Sequence, residues 1–165
     1  MWRRFRAGAT IGRRQADLDV SEPTPETDRW LSPSDFGFHN ALLPADGRLR
    51  FIDFEYAGWD DPAKLVCDFF CQPDVPAPAK YLAPFTDLLL ADLSDPLRHR
   101  RRIAMLLPVY RVKWCCILMN EYLPAGRERR SFAAGIDVDQ DARLAQLDKA
   151  RRMLRSVDEV MEATV

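Results

Sequence analysis

The spacing of hydrophobic positions changes twice along this chain, and each stretch predicts a different kind of element. Up to residue 29 there is no period at all. Arg3, Arg4, Arg6, Arg13 and Arg14 make a basic block, and Asp17, Asp19, Glu22, Glu26 and Asp28 make an acidic one around Pro23 and Pro25. Opposed charge blocks without an apolar face predict an irregular leader over 1–29. From Trp30 the apolar runs are short and turn-bounded. Ala41-Leu42-Leu43, then Pro44-Ala45-Asp46-Gly47, then Leu49 to Phe54 predict strand, turn and strand, because Asp-Gly between two apolar runs is a strong hairpin signal. Asp60-Asp61-Pro62 then offers a carboxylate cap with proline at the first helical position, predicting a helix through about Cys71.

Beyond Pro73–Pro78 the period is helical to the end. Tyr81, Leu82, Phe85, Leu88 and Leu89 recur at helical spacing. From about Pro96 to Tyr122, the residues Ile103, Leu106, Leu107, Tyr110, Trp114, Ile117, Leu118 and Tyr122 cover so much of the circumference that a central buried helix is expected, kinked or split at Pro108. Asp137-Val138-Asp139-Gln140-Asp141 should open a last amphipathic helix, its first-turn acids suiting the helix dipole, with Leu144, Leu147, Leu154, Val157 and Met161 facing inward. The fold class expected is therefore α+β and mainly helical.

Composition narrows the setting. A chain of 165 residues, 47% hydrophobic, can bury one sizeable core. A formal net charge of -1 argues against non-specific attraction to nucleic acid or anionic membrane. The basic start Met1-Trp2-Arg3-Arg4-Phe5-Arg6 lacks the apolar segment of a signal peptide, and the longest uncharged apolar run, Ile103 to Tyr110, is too short to span a bilayer. Cys67, Cys71, Cys115 and Cys116 lie in apolar stretches and form a poor disulfide framework, so buried thiols in a reducing cytoplasm are expected. A zinc site among them is disfavoured by the absence of Cys-x-x-Cys knuckles.

The candidate chemistry lies in Ser32-Pro33-Ser34-Asp35-Phe36-Gly37-Phe38-His39-Asn40 and in Phe51-Ile52-Asp53-Phe54-Glu55. Kinase-type phosphoryl transfer needs a carboxylate beside the attacking hydroxyl, and an amide and a second carboxylate on magnesium. Asp35, Asn40 and Asp53 supply those groups in that order, and the hairpin between Leu42 and Phe51 would hold the last two in register.

These motifs resemble the C-terminal lobe of the aminoglycoside phosphotransferase and choline kinase family, which has a protein-kinase-like fold. The resemblance runs from about Leu31 to Phe70 at motif level and more loosely through the helical remainder. It implies a kinase-like C-terminal lobe over 30–165, with a small β-hairpin bearing the catalytic and metal-binding loops. It also implies ATP and Mg as cofactors, and a small-molecule hydroxyl acceptor such as a sugar, an aminoglycoside or an amino-alcohol. By the resemblance Asp35 stands as catalytic base, with Asn40 and Asp53 as metal ligands. Gly58-Trp59-Asp60-Asp61-Pro62 looks like the family's Gly-Asp-Pro segment, leading into a helix that carries another acid, Asp68. Two positions depart from the pattern: Pro33-Ser34-Asp35 stands where the family reads His-Gly-Asp, and His39 stands where relatives carry glycine. His39 is either catalytic or tolerated.

No glycine-rich phosphate loop precedes Asp35, and the lysines Lys64, Lys80, Lys113 and Lys149 all follow it. The nucleotide lobe is thus expected to be absent, the isolated chain weakly active, and an apolar patch exposed around Phe36, Phe38 and Phe54, where a separately encoded nucleotide lobe or a second copy would dock. A non-catalytic binding module is the alternative. The remaining candidates have plainer readings. His99, inside Arg98-His99-Arg100-Arg101-Arg102, reads as a solvated helix residue, and Tyr110 and Trp114 as packing. Glu121, Asp137, Asp139 and Asp141 suit either a cationic acceptor or helix capping. A nucleic-acid binder using Arg98–Arg102 and Arg127–Arg130 is disfavoured by the near-zero net charge.

Overall fold

The computed structural model describes residues 22–123 and 140–163, the side chains as far as Val157. The chain is α+β and mostly helical. Its contacts divide it into two compact units, one ending at Leu107 and the other starting at Pro108.

In the first unit, β1 (Trp30–Ser32) pairs antiparallel with β4 (Gly58–Asp60), Leu31 lying opposite Trp59 and Ser32 opposite Gly58. Between them in sequence lies the expected hairpin, β2 (Ala41–Leu42) against β3 (Arg50–Phe51), with Ala41 opposite Phe51. Its turn uses Gly47 at φ 71°, where a side chain is disfavoured, and Asp46, whose Oδ1 accepts from Arg48 N at 3.0 Å. The second strand is shorter than the apolar run Leu49–Phe54 suggested. Asp53 takes φ 64°, a left-handed value that no strand accommodates, so the ladder ends just before it.

Helix α1 (Pro62–Cys71) begins as its sequence predicts: Asp61 accepts from Ala63 N at 2.8 Å, and Pro62 occupies the first position, where its missing N–H costs nothing. It stops where Gln72 turns extended ahead of Pro73, and the Gln72 Oε1 accepts from Asp74 N and Val75 N, both at 2.9 Å. Helix α2 (Leu82–Leu90) follows a 3₁₀ turn at Ala79–Tyr81. Ala63, Val66, Leu90 and Ile103 form the core, flanked by Phe70, Leu82, Phe85, Leu89, Leu93 and Leu106. Leu88 shares the apolar spacing of α2 but points to solvent, 81% exposed, because burial selects the stripe through Leu82, Phe85, Leu89 and Leu90.

Helix α3 (Pro96–Leu118) runs through Pro108 without ending and closes in a 3₁₀ turn, Met119–Tyr122. It is not buried all round, as its composition suggested. Ile103 and Leu107 are buried in the first unit and Cys115 and Leu118 in the second, whereas Val109 and Cys116 are exposed. By length and composition alone Pro96–Tyr122 would also suffice to cross a membrane, which the short run Ile103–Tyr110 had not suggested, since only Arg111 and Lys113 carry charge between Ile103 and Asn120.

In the second unit, Cys115, Leu118 and Ala150 pack with Met119, Met153 and Leu154 of α4 (Gln140–Ala163) and the end of α3. Arg111 donates to Ser156 O at 2.6 Å and the Tyr122 hydroxyl to Arg143 O at 2.7 Å, giving this small unit polar ties as well as an apolar seam. Val157 faces inward as expected, but Leu144 is exposed and Ala150 and Met153 take the seam. Asp137 and Asp139, read as the helix opening, lie outside the described residues, as do Arg127–Arg130.

Candidate functional site

The loop from Pro33 to Asn40 leaves β1 and enters β2, and its aromatic residues decide where it lies. Phe36 packs tilted and Phe38 edge-on against Phe69 of α1 at centroid distances of 4.8 and 4.9 Å, and Phe69 in turn stacks on Phe85 at 5.2 Å. Burial of these rings draws the loop onto α1 and leaves the residue before Phe36, Asp35, exposed. The expected apolar patch therefore differs in composition. Phe36 and Phe38 are half-buried in this cluster, and of the three phenylalanines only Phe54 is exposed. Exposed apolar side chains near the sheets are Leu31 and its cross-strand partner Trp59, at 62% and 69%, and Leu42, Leu43, Ile52 and Phe54 on or beside the hairpin.

Asp35 is held from two sides. His39 Nε2 lies 3.2 Å from its Oδ1, and Asn40 Nδ2 donates to the Asp35 carbonyl oxygen at 3.0 Å and reaches Oδ2 at 3.4 Å. The contact with His39 is a signal that sequence reasoning missed: an i, i+4 pair inside a tight loop. His39 Nδ1 is buried without a hydrogen-bond partner among the described residues, and it packs against the place where Gly37 lacks a side chain.

Asn40 is also the first residue of the hairpin junction, since its carbonyl oxygen accepts from Ile52 N at 2.9 Å. Asp53 follows Ile52, so strand register sets it one residue past Asn40's partner. The structure thus brings Asp35 and Asn40 into contact and places Asp53 at the same end of the hairpin. Asp53 and Ser34 are the non-glycine residues with positive φ among those described, at 64° and 73°. That conformation costs a side-chain-bearing residue roughly 1–2 kcal/mol, and strain of this kind concentrates at sites where geometry matters more than stability. Beside Asp53, Glu55 pushes the Tyr56 phenol up, by a hydrogen bond first and by its charge second.

Behind the loop stands Lys64, on the first turn of α1. Its Nζ lies 2.8 Å from Asp60, 3.3 Å from Asp68 and 3.0 Å from Ser34 Oγ. Burial works against the ammonium's charge, but the hydrogen bond to Asp60 and the charges of Asp68 and Asp60 outweigh it, so the Lys64 pKa is raised. The Asp60/Lys64/Asp68 ladder was legible as i, i+4 spacing; its connection to Ser34 was not.

A second buried polar cluster lies outside this site. His99, expected in solvent among arginines, is buried, with Nε2 2.9 Å from Asp28, whose carboxylate also accepts from Ser94 Oγ at 3.3 Å. Residues 22–28 thereby gain fixed positions: Thr24 Oγ1 donates to Asp61 at 2.7 Å, and Arg98 pairs with Glu22 at 2.8 Å. Arg100 pairs with Asp87, and Arg102 with Asp61 at 2.5 Å. Three arginines of the basic run are thus neutralised within the fold.

Chemically, an exposed carboxylate oriented by two neighbours can accept a hydrogen bond from a bound hydroxyl and take its proton. The Asn40 amide uses its nitrogen on Asp35, which leaves its neutral oxygen open to a ligand, and Asp53 carries an anionic one. Hard oxygen donors of this kind suit magnesium, which keeps most of its other positions for water and phosphate. Among the described residues no group of three or more His, Cys, Asp or Glu side chains is arranged to hold a metal ion. Compared with known protein families, curated proteins and solved structures, the chain shows no significant match.

Proposed function

We propose that this chain is the acceptor-side lobe of an ATP- and magnesium-dependent phosphotransferase that acts on a hydroxyl of a sugar, an aminoglycoside or an amino-alcohol. The observation that carries the reading is the Asn40 junction. One residue touches the backbone and carboxylate of Asp35 through its side chain and anchors Ile52, the neighbour of Asp53, through its backbone. The link from Asp35 through Asn40 to the residue before Asp53 supports reading a loop carboxylate, an amide and a strand-end carboxylate as one site for in-line phosphoryl transfer.

In this reading Asp35 orients the acceptor hydroxyl and takes its proton, while His39 and Asn40 keep the carboxylate from rotating away. Asn40 and Asp53 would hold magnesium, which supplies positive charge against the phosphate oxygens. Most of the rate in such chemistry comes from positioning and from charges fixed beforehand. A glycine-rich loop and a lysine to fix the triphosphate would come from a nucleotide lobe docked on the exposed apolar side chains Leu31, Trp59, Ile52 and Phe54, or from association of copies across that face. A cytoplasmic setting goes with the reading, since an adjacent pair and an i, i+4 pair of cysteines make a poor disulfide framework. The same exposed face favours the second reading, a non-catalytic module that binds a partner without turnover.

The test is a magnesium-dependent ATP titration and turnover assay on the chain, alone and with any candidate nucleotide lobe, using Asp53→Asn as the probe. Asparagine tolerates the left-handed backbone of residue 53, so the fold is spared while the anionic ligand is lost. Magnesium-dependent turnover should fall to background with the melting temperature unchanged. Turnover equal to wild type in Asp53→Asn would remove the support for the assignment, and partner binding without nucleotide binding would favour the module.

A further inference from the structure

We propose that Lys64 is a positioning residue for Asp35: from the first turn of α1 it clamps Ser34 in a left-handed backbone conformation and so sets the direction in which Asp35 presents its carboxylate. The inference rests on the reading of Asp35 as the group that orients the acceptor hydroxyl, and it assigns a role to a lysine of α1.

The geometry is over-determined at one residue. Ser34 has φ 73°, a value that serine leaves readily unless it is held. Its own N–H donates to Ser32 Oγ at 3.1 Å, and Lys64 Nζ donates to its Oγ at 3.0 Å and approaches its carbonyl oxygen at 3.4 Å. These contacts engage every polar atom of Ser34. The next peptide unit carries Asp35, so the left-handed turn at Ser34 decides whether that side chain faces Asn40 or swings into solvent.

The other end of the clamp is equally fixed. Asp60 belongs to β4, whose Gly58 pairs with Ser32, so the strand pair that launches the loop also carries the carboxylate that seats the lysine. Asp68 lies one turn further along α1 and is 2% exposed. Lys64 Nζ donates to Asp60 Oδ2 and to both the hydroxyl and the carbonyl oxygen of Ser34, while its charge also faces Asp68 Oδ2 at 3.3 Å, so the lysine joins three different parts of the chain. With its pKa raised, the lysine stays charged across the physiological range, which makes the clamp a permanent brace.

Glycine provides a specific test, because it adopts positive φ without support. Four forms of the full chain are compared, each with any required nucleotide lobe: wild type, Lys64→Met, Lys64→Met with Asp68→Asn, and that double variant with Ser34→Gly. The Asp68→Asn change removes the buried negative charge that Lys64 faces, so that loss of folding does not obscure the result. Two quantities are read: the backbone three-bond coupling at residues 34 and 35 by NMR, and kcat and KM for magnesium-dependent phosphoryl transfer from ATP. Without Lys64, Ser34 should leave the left-handed region and kcat should fall by roughly 10-fold to 10²-fold, the scale of a small misplacement of a reacting group, with the KM for ATP unchanged. Ser34→Gly should restore most of kcat, which a lysine acting only on stability would not show. If the Ser34 coupling is the same with and without Lys64, or if glycine fails to restore kcat, the clamp is overturned. If the coupling collapses as expected but even wild type transfers no phosphoryl group, the clamp stands and the reading of Asp35 as a base is what fails.

Discussion

Gly37→Ala tests how tightly the loop bearing Asp35 is packed, and its effect can be worked out from the contacts. Gly37 has φ 178°, an extended value open to any residue, so the obstacle is space. A methyl group there would sit 2.7 Å from His39 Nδ1, 3.0 Å from His39 Cε1 and 3.1 Å from Gln72 Cγ. Favourable separations for such atoms are about 3.5–4.0 Å, so the imidazole must retreat by roughly 1 Å. Retreat on the other side is blocked, because Gln72 is buried and its Oε1 is committed to Asp74 N and Val75 N. Displacing the ring also breaks its 3.2 Å contact with Asp35. Overpacking of this size costs about 1–3 kcal/mol, and the half-exposed His39–Asp35 contact adds roughly 0–1 kcal/mol. At roughly 2–4 °C per kcal/mol for a chain of this length, Gly37→Ala should melt roughly 2–16 °C below wild type.

Circular dichroism melts of Gly37→Ala, His39→Ala and the double variant measure this and locate its cause. His39→Ala clears the closest two contacts, so the double variant should be more stable than the sum of the singles implies, by about 1 kcal/mol or more. A Gly37→Ala protein that melts within about 1 °C of wild type would refute the packing argument. Strict additivity would show that His39 is not what the methyl group meets.

Three other outcomes follow from the structure. The Asp28 carboxyl is held below the usual carboxylate range, chiefly by the His99 hydrogen bond, which outweighs the opposing effect of burial. A depressed carboxylate contributes stability above its unfolded value of ~3.9 and loses it as pH falls through the lower folded value, so Asp28→Asn should flatten the acid limb of urea midpoints below about pH 4; an unchanged limb would argue against the pair. Leu90→Ala should cost about 2–5 kcal/mol by urea unfolding, because Leu90 is fully buried, whereas Leu88→Ala, two residues earlier and in solvent, should fall within about 0.5 kcal/mol of wild type. At pH 8 a thiol reagent should modify the exposed Cys116 quickly and leave Cys67, Cys71 and Cys115 unreacted until unfolding, burial having pushed the Cys115 thiol up to about 11; rapid loss of a second thiol in the native protein would contradict the burial.

Local chemistry accounts for what could be read ahead of the structure. The Asp46-Gly47 turn, the Asp61-Pro62 start of α1 and the stop before Pro73 each depend on a few adjacent residues, because a cap, a left-handed turn or a missing N–H acts over one turn of chain. The short interval from Asn40 to Asp53 likewise works through one hairpin, so the proximity of those two positions was implicit in the sequence. Helical stretches were legible from period alone, but period did not settle which stripe is buried. Leu88 and Leu144 match the apolar spacing and face solvent, since the burying surface is built by other segments.

The sequence by itself determined the mainly helical α+β class, the hairpin and the order of the three candidate residues. Tertiary structure alone decided the partners of charged groups that lie far apart along the chain. It buried His99 against Asp28, although every neighbour of His99 from Arg98 to Arg102 is an arginine. It laid Lys64 on Ser34, and it brought Arg102 to the helix cap at Asp61. The physical reason is that a buried charge is tolerated only beside a compensating one, and the compensating group is identified by where the chain passes in space. The left-handed backbones of Ser34 and Asp53 belong with these. Nothing in a serine or an aspartate announces such a conformation, and only the surrounding contacts hold it.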